Sequence, residues 1–155
     1  MTIALRTAAA IMGSREEAAD IAQDVAVEVL RSLEQLRDPR AFDAWVHRIT
    51  VRRTLKALKQ RRVEVPFALA ADLPADTPDR DTVLAARGAL AQALKALPPR
   101  QRVALALRYV HDLDDEQIAE ALGCRQGTVH ALLSRARASL REAPALQELA
   151  QGGAR

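Results

Sequence analysis

Cysteine is almost absent from this 155-residue sequence, since Cys124 is its only cysteine. One cysteine cannot form an internal disulfide, and the sequence has neither a C-x-x-C pair nor a Cys/His cluster. A disulfide scaffold and a structural zinc site are therefore excluded. We interpret Cys124 as a small buried hydrophobic residue rather than a reactive thiol. This cysteine usage is typical of a reducing compartment.

Long uncharged stretches are also missing. No stretch free of Asp, Glu, Lys and Arg reaches ten residues, and Arg6 interrupts the apolar N-terminus. A membrane-spanning helix needs about 20 apolar residues, and a signal peptide needs an uninterrupted apolar region. We therefore expect no membrane insertion and a cytoplasmic location.

The usual sequence signs of catalysis are not found. There is no glycine-rich phosphate loop and no Cys/His pair placed for nucleophilic attack. His47, His111 and His130 lack the spacing of metal ligands. The sequence predicts a protein that is not an enzyme and that holds no metal or cofactor.

What the sequence does contain is two basic segments on either side of an acidic one. Residues 1–62 carry 12 basic and 8 acidic side chains, residues 63–85 carry 1 and 5, and residues 86–155 carry 10 and 7. The middle segment holds three of the seven prolines and has no helical periodicity. We predict an all-α fold with two small helical domains, 1–62 and 86–142. An acidic, Pro-rich linker (63–85) joins them, and a tail (143–155) follows. The linker offers too few apolar residues to join the two domains into one core.

The first domain is predicted to contain a long amphipathic helix from Arg15 to Arg37. Its apolar positions recur at steps of three and four, which places them on one face: Ala18, Ala22, Val25, Val29, Leu33 and Leu36. Ser14 and Glu17 have the spacing of a capping box at its start. The opposite side is acidic, through Asp20, Asp24 and Glu28. Only about thirteen residues precede this helix, which leaves the first domain short.

A second helix follows Pro39, and its second half is strongly basic. Seven basic residues and no acidic residue lie between Arg48 and Arg62. Four of them form a basic stripe along one side of the helix: Arg48, Arg52, Lys56 and Lys59. The stripe is either a solvated helix face or a phosphate-binding surface. Seven uncompensated cations repel one another unless a polyanion or an acidic partner meets them.

The second domain is predicted to be a four-helix domain that contains a helix-turn-helix. Helices over 83–96 and 100–110 are followed by Asp114, which can act as N-cap with Gln117 reaching back to it. The resulting short helix ends at Gly123, and a further helix runs from about Gln126 to Arg141. Small and apolar residues stand where the two helices of such a motif must touch: Ala119, Gly123, Val129 and Leu132.

The outward residues at the front of the last helix are candidates for contact with DNA in the major groove. They are Arg125, Gln126, Thr128, His130 and Ser134, with Arg135 and Arg137 behind them. Arginine and glutamine suit bidentate contacts with guanine and adenine edges, whereas Thr128 can hydrogen-bond a phosphate. Thr128 can also serve only to cap its helix, and His130 can be a plain exposed histidine.

Both halves of the chain resemble the extracytoplasmic-function sigma factors, a small two-domain class of bacterial RNA polymerase sigma factors. The stretch EEAADIAQDVAVEVLRSLEQLRDPRAFDAWVHRITVRR is similar to region two of that family. The stretch from ALPPRQR through EQIAEALG to GTVHALLSRARASLRE is similar to its region four. The resemblance covers about residues 14–142.

The resemblance implies a role for each surface of the protein. Asp20, Gln23 and Asp24 would face core RNA polymerase. Four basic residues would lie along the minus-ten element of promoter DNA: Arg48, Arg52, Arg53 and Lys56. The recognition helix would read the minus-thirty-five element. The resemblance leaves open whether an anti-sigma factor also binds this chain.

The leading hypothesis is therefore a promoter-specificity subunit that binds core polymerase and directs initiation through two DNA-reading domains. The alternative is a sigma-like helix-turn-helix regulator that binds DNA without engaging polymerase efficiently.

Overall fold

The computed structural model describes residues 2–60 and 80–152, and within these ranges every regular element is helical. The helices are α1 (Thr2–Met12), α2 (Arg15–Ser32), α3 (Phe42–Gln60), α4 (Arg80–Ala96), α5 (Pro99–His111), α6 (Asp115–Leu122), α7 (Gln126–Glu142) and α8 (Pro144–Gly152). Two 3-10 turns, Leu33–Gln35 and Pro39–Ala41, join α2 to α3. The prediction of an all-α fold is confirmed. We call α1–α3 the first lobe and α4–α8 the second lobe.

The helix boundaries follow local signals in the sequence. The Ser14 hydroxyl accepts a hydrogen bond from the backbone N–H of Glu17 at the start of α2. Asp114 and Gln117 form a reciprocal capping box at the start of α6. Gly123 ends α6 with φ 61°, a left-handed conformation that glycine adopts without a steric cost. The capping box and Gly123 fix where the first helix of the helix-turn-helix begins and ends.

Four parts of the predicted layout differ from the structure. Helix α1 occupies the N-terminal residues, where no helix is predicted, and it packs against α2 and α3. Helix α2 ends at Ser32 rather than Arg37, because a 3-10 turn follows it. The predicted tail includes α8, which packs against α4. Most of the predicted linker lies outside the described residues, and its last part, from Arg80, belongs to α4.

The two lobes share a core. Ile11 of α1 and Val51 of α3 are buried in the same cluster as Val103, Leu107 and Ile118 of the second lobe. A separate cluster of α1, α2 and α3 residues fills the first lobe. The expectation that the lobes lack a joint core is therefore wrong for this arrangement, because α1 and α3 supply the apolar contact and the linker is not needed for it.

Polar contacts cross the same boundary. The buried guanidinium of Arg102 donates to the carbonyl of Ile11 at 3.0 Å, and also to the carbonyls of Lys95 and Leu97 at 2.8 and 3.1 Å. Arg6 donates to the carbonyl of Val110 at 3.0 Å. The end of α1 and the end of α4 are thus tied to one side chain of α5.

Candidate functional site

The helix-turn-helix has the packing that its sequence predicts. Helix α7 turns Val129, Leu133 and Ala136 inward, and each is at most 3% exposed. Ile118 and Leu122 of α6 are buried in the same cluster. The inner face is therefore filled, which leaves the opposite face of α7 available to solvent or to a ligand.

All seven candidate residues of α7 and its N-cap are exposed. Helical periodicity places Gln126, His130, Ser134 and Arg137 along one side of the exposed surface, and Thr128 and Arg135 along the other. Arg125 is the N-cap residue and makes no side-chain capping bond. The structure thus brings these side chains to one surface at the N-terminal end and middle of α7.

Two of these side chains already have partners within the protein. The Nε2 of His130 lies 2.7 Å from Oδ2 of Asp115, and Arg108 pairs with the other oxygen of the same carboxylate. Arg137 donates from Nε to the hydroxyl of Tyr109 at 3.1 Å. Asp115 therefore links α5, α6 and α7, and it orients the exposed ring of His130.

In the part of the chain that the structure describes, the basic stripe on α3 is paired at its two arginines and not at its two lysines. Arg48 pairs with Glu120 of α6, and Arg52 pairs with Glu28 of α2. Arg53, beside the stripe, lies 2.7 Å from Glu28 and 3.8 Å from Asp24. The sequence expectation of uncompensated cations is wrong for these arginines, because the acids come from other helices. Within the described residues, Lys56 and Lys59 are exposed and make no ion pair.

The acidic side of α2 forms a second exposed surface. Asp20 and Gln23 are exposed, and the side chain of Asp24 is 69% exposed despite its long contact with Arg53. Val27 and Leu30 continue this surface and are 46% and 75% exposed. Sequence reasoning did not identify these two apolar residues as part of a site. The available signal was that both fall outside the inward-facing apolar positions of the helix.

Two histidines meet at the boundary between the lobes. The rings of His47 and His111 pack edge to face with centroids 4.6 Å apart. Since the Thr7 hydroxyl already donates to the carbonyl of Ile3, Nε2 of His111 is the donor in its 2.8 Å bond to that hydroxyl. Burial lowers the pKa of His47, against a smaller opposing effect of Asp43. Burial, and then the charges of His47 and Arg6, lower the pKa of His111 to about 4.

Other kinds of site were sought in the described parts of the chain. No group of three or more His, Cys, Asp or Glu side chains there could hold a metal ion. None of the described helices is long and apolar enough to cross a membrane. Cys124 is half-buried and carries a free thiol.

Comparison with known proteins gives the same division of the chain. Residues 3–63 match the family model "Sigma-70 region 2", and residues 87–140 match "Sigma-70, region 4". The ECF RNA polymerase sigma factor SigE of Mycolicibacterium smegmatis is 33% identical over 143 residues, which cover 88% of this chain and 55% of that protein. The RNA polymerase sigma-E factor of Streptomyces coelicolor is 32% identical over 139 residues, which cover 89% of this chain and 77% of that protein.

A solved structure supports the fold. The sigma factor RpoE of Bartonella quintana, in complex with the anti-sigma factor NepR, superposes with a TM-score of 0.71 at 23% sequence identity. The match covers 90% of this chain and 88% of that one. The two-lobed helical arrangement is therefore one that a known protein adopts.

Proposed function

We propose, given that this chain belongs to the extracytoplasmic-function class of the sigma-70 RNA polymerase sigma factors, that it binds core polymerase through α2 and promoter DNA through α3 and α7. The observation that carries the proposal is the filled helix-turn-helix of α6 and α7, with its polar and basic residues on one exposed surface. Such a surface is the part of this motif that enters the major groove.

Helix α7 is proposed to read the upstream promoter element. Gln126, near the N-terminus of α7, and Arg125 before it have side chains that make bidentate contacts with base edges. Thr128 and Arg135 lie along the other side of the exposed surface, where phosphate contacts would set the register of the helix on DNA. His130 is held by Asp115, so its contribution is limited to the ring atoms that remain exposed.

Helix α3 is proposed to lie along the minus-ten side of the promoter. Lys56 can reach a phosphate as it stands, whereas Arg48, Arg52 and Arg53 must exchange a carboxylate partner for a phosphate. Because Glu120 belongs to the second lobe, use of Arg48 on DNA breaks an ion pair between the lobes. We propose that a whole promoter is engaged by an arrangement in which this contact is open.

Helix α2 is proposed to contact polymerase. Asp20, Gln23 and Asp24 form its polar part, and the exposed Val27 and Leu30 extend it with an apolar part. A mixed surface of this kind suits a protein partner better than a nucleic acid, since an acidic face repels phosphates. We also propose a cytoplasmic location, where core polymerase and the genome are found.

An anti-sigma factor is proposed as a further partner. The superposed RpoE structure is itself a complex with an anti-sigma factor, and its fold covers 90% of this chain. A partner that held the two lobes in the described arrangement would keep Arg48 paired with Glu120.

The test is core-polymerase binding by the purified chain, followed by run-off transcription on genomic fragments. Asp20→Ala combined with Asp24→Ala should weaken polymerase binding and leave the fold intact, because exposed substitutions change stability by less than about 0.5 kcal/mol. Glu142→Ala with Glu148→Ala removes two exposed acids from the second lobe and serves as the matched control. Equal polymerase binding by wild type and the first variant would contradict the assignment of α2. DNA binding with no polymerase binding would favour the alternative function, a sigma-like helix-turn-helix regulator that does not engage polymerase efficiently.

A further inference from the structure

A cleft opens between the lobes, and of its described lining residues only Arg137 is also a candidate for contact with DNA. Its volume is about 800 Å³, within the range of roughly 300–1,000 Å³ that is typical of sites for small molecules. Helix α1 contributes Leu5 and Ala9, and the second lobe contributes Leu90, Leu94 and Leu105. Leu5 and Leu90 are 37% and 36% exposed, so apolar surface of both lobes remains open to water.

The charged residues that the structure describes in the cleft are all of one sign. Arg6, Arg15, Arg102 and Arg137 line it, and none of its described lining residues is Asp or Glu. Arg102 is buried and its guanidinium is used by backbone carbonyls. Arg6 and Arg137 each make one hydrogen bond, and a guanidinium has five N–H donors, so both retain donors. Arg15 makes no hydrogen bond or ion pair with any described residue.

An apolar floor with a cationic rim is complementary to an amphiphilic anion. We infer that this cleft binds a medium-chain fatty carboxylate, with its alkyl chain on the leucines and its carboxylate among Arg6, Arg15 and Arg137. Guanidinium groups suit carboxylates because they can donate two parallel hydrogen bonds to one carboxylate. Among its described residues the lining offers no carboxylate that would favour a cation.

The site is composite, which gives the ligand an effect on the whole molecule. Its described lining comes from α1 and the first residue of α2 on one side, and from α4, α5 and α7 on the other. A ligand that needs both lobes binds only the described arrangement and stabilises it by mass action. The fatty carboxylate would therefore hold the lobes together.

Calorimetric titration of the full chain with octanoate, decanoate and dodecanoate, each below its micelle concentration, tests the inference. Each added pair of buried CH2 groups should tighten binding by about 15-fold, since one buried CH2 contributes about 0.8 kcal/mol. The methyl ester of dodecanoate has the same chain without the charge and should bind several-fold more weakly. Absence of binding, or equal binding of the ester, would overturn the inference.

Two variants with matched controls locate the binding. Arg15→Gln should weaken dodecanoate binding by up to about fivefold, the value expected for one exposed ion pair, and Leu90→Asp should abolish it by placing a carboxylate in the cleft. The control variants are Arg31→Gln and Leu84→Asp. They change exposed residues of the same two helices, α2 and α4, and neither residue lines the cleft. Both controls should bind as wild type does. Equal losses in the variants and their controls would show detergent-like surface binding only and would also overturn the inference.

Discussion

Acidification should weaken the structure through His111, which lies at the contact between the lobes. Its ring donates to Thr7 of the other lobe and packs against His47 at 4.6 Å between centroids. A proton on His111 would place a positive charge beside Arg6 and beside His47. The nearby acid Asp43 acts on His47. In the folded protein, His111 therefore stays neutral until the pH is well below the ordinary pKa of histidine.

The sign of the effect follows from the two pKa values. The pKa of His111 falls from 6.5 to about 4 on folding, so between these values the unfolded chain binds more protons than the folded one. The free energy of unfolding then rises with pH across this window and is lost as the pH falls through it. The complete loss is at most about 3 kcal/mol, and screening of the half-buried ring by water reduces it to about 2 kcal/mol. The lowered pKa of His47 acts in the same direction.

Urea unfolding of wild type and of His111→Gln between pH 7.5 and pH 4 measures the contribution of His111 to the free energy of unfolding. The variant retains a side-chain donor for Thr7 but cannot titrate, and both proteins carry the same carboxylates. The stability of wild type should therefore fall by about 2 kcal/mol more than that of the variant over this range. Parallel stability curves for the two proteins would refute the reasoning, because His111 would then titrate alike in the folded and unfolded states.

Three further predictions concern single side chains. Lys56→Ala should lower DNA affinity about equally for all sequences and reduce the salt-dependence slope by roughly one, measured by binding titrations at several salt concentrations; an unchanged slope would assign Lys56 to a solvated face. Gln126→Ala should relax preference at one or two base pairs of the upstream element by about 1–3 kcal/mol, measured by competition between promoter variants, and unchanged preference at every position would remove Gln126 from the reading surface. Arg102→Met should destabilise the fold by about 3 kcal/mol or more, because backbone carbonyls of both lobes lose a charged donor. Arg100→Met, which removes only one hydrogen bond of 3.3 Å, should cost far less in the same urea experiment, and equal losses would contradict the role given to Arg102.

The helix-turn-helix could be predicted from the sequence because its determinants are local. The Asp114 and Gln117 capping box, the left-handed Gly123 and the inward Val129 all lie within a short stretch of chain. Each of these residue types is required either by the local backbone conformation or by packing against the neighbouring helix, which follows after a short turn. The exposed residues of α7 then follow by periodicity, without knowledge of the rest of the fold.

The contact between the lobes could not be predicted, because its determinants are distant in sequence. Helix α1 is short and rich in alanine, and its helical state depends on packing against α2, α3 and α5. Similarly, Arg48 and Glu120 are 72 residues apart, so no local pattern indicates that they form a pair. The sequence predicts that the basic residues share one side of α3, but the acids that pair with Arg48 and Arg52 belong to other helices.

Access of DNA to α3 is limited by the stronger of two contacts between the lobes, the Arg48–Glu120 ion pair and the apolar contact of α1 and α3. An exposed ion pair such as Arg48 with Glu120 contributes about 0–1 kcal/mol, and a phosphate can replace the carboxylate at little cost. Burial of Ile11 and Val51 contributes more, at about 1.5–3 kcal/mol for each side chain. Arg102 adds a buried hydrogen bond to the carbonyl of Ile11. The apolar contact of α1 and α3 with the second lobe, and not the pairing of the arginines, is therefore the main barrier to an arrangement in which α3 and α7 bind DNA together.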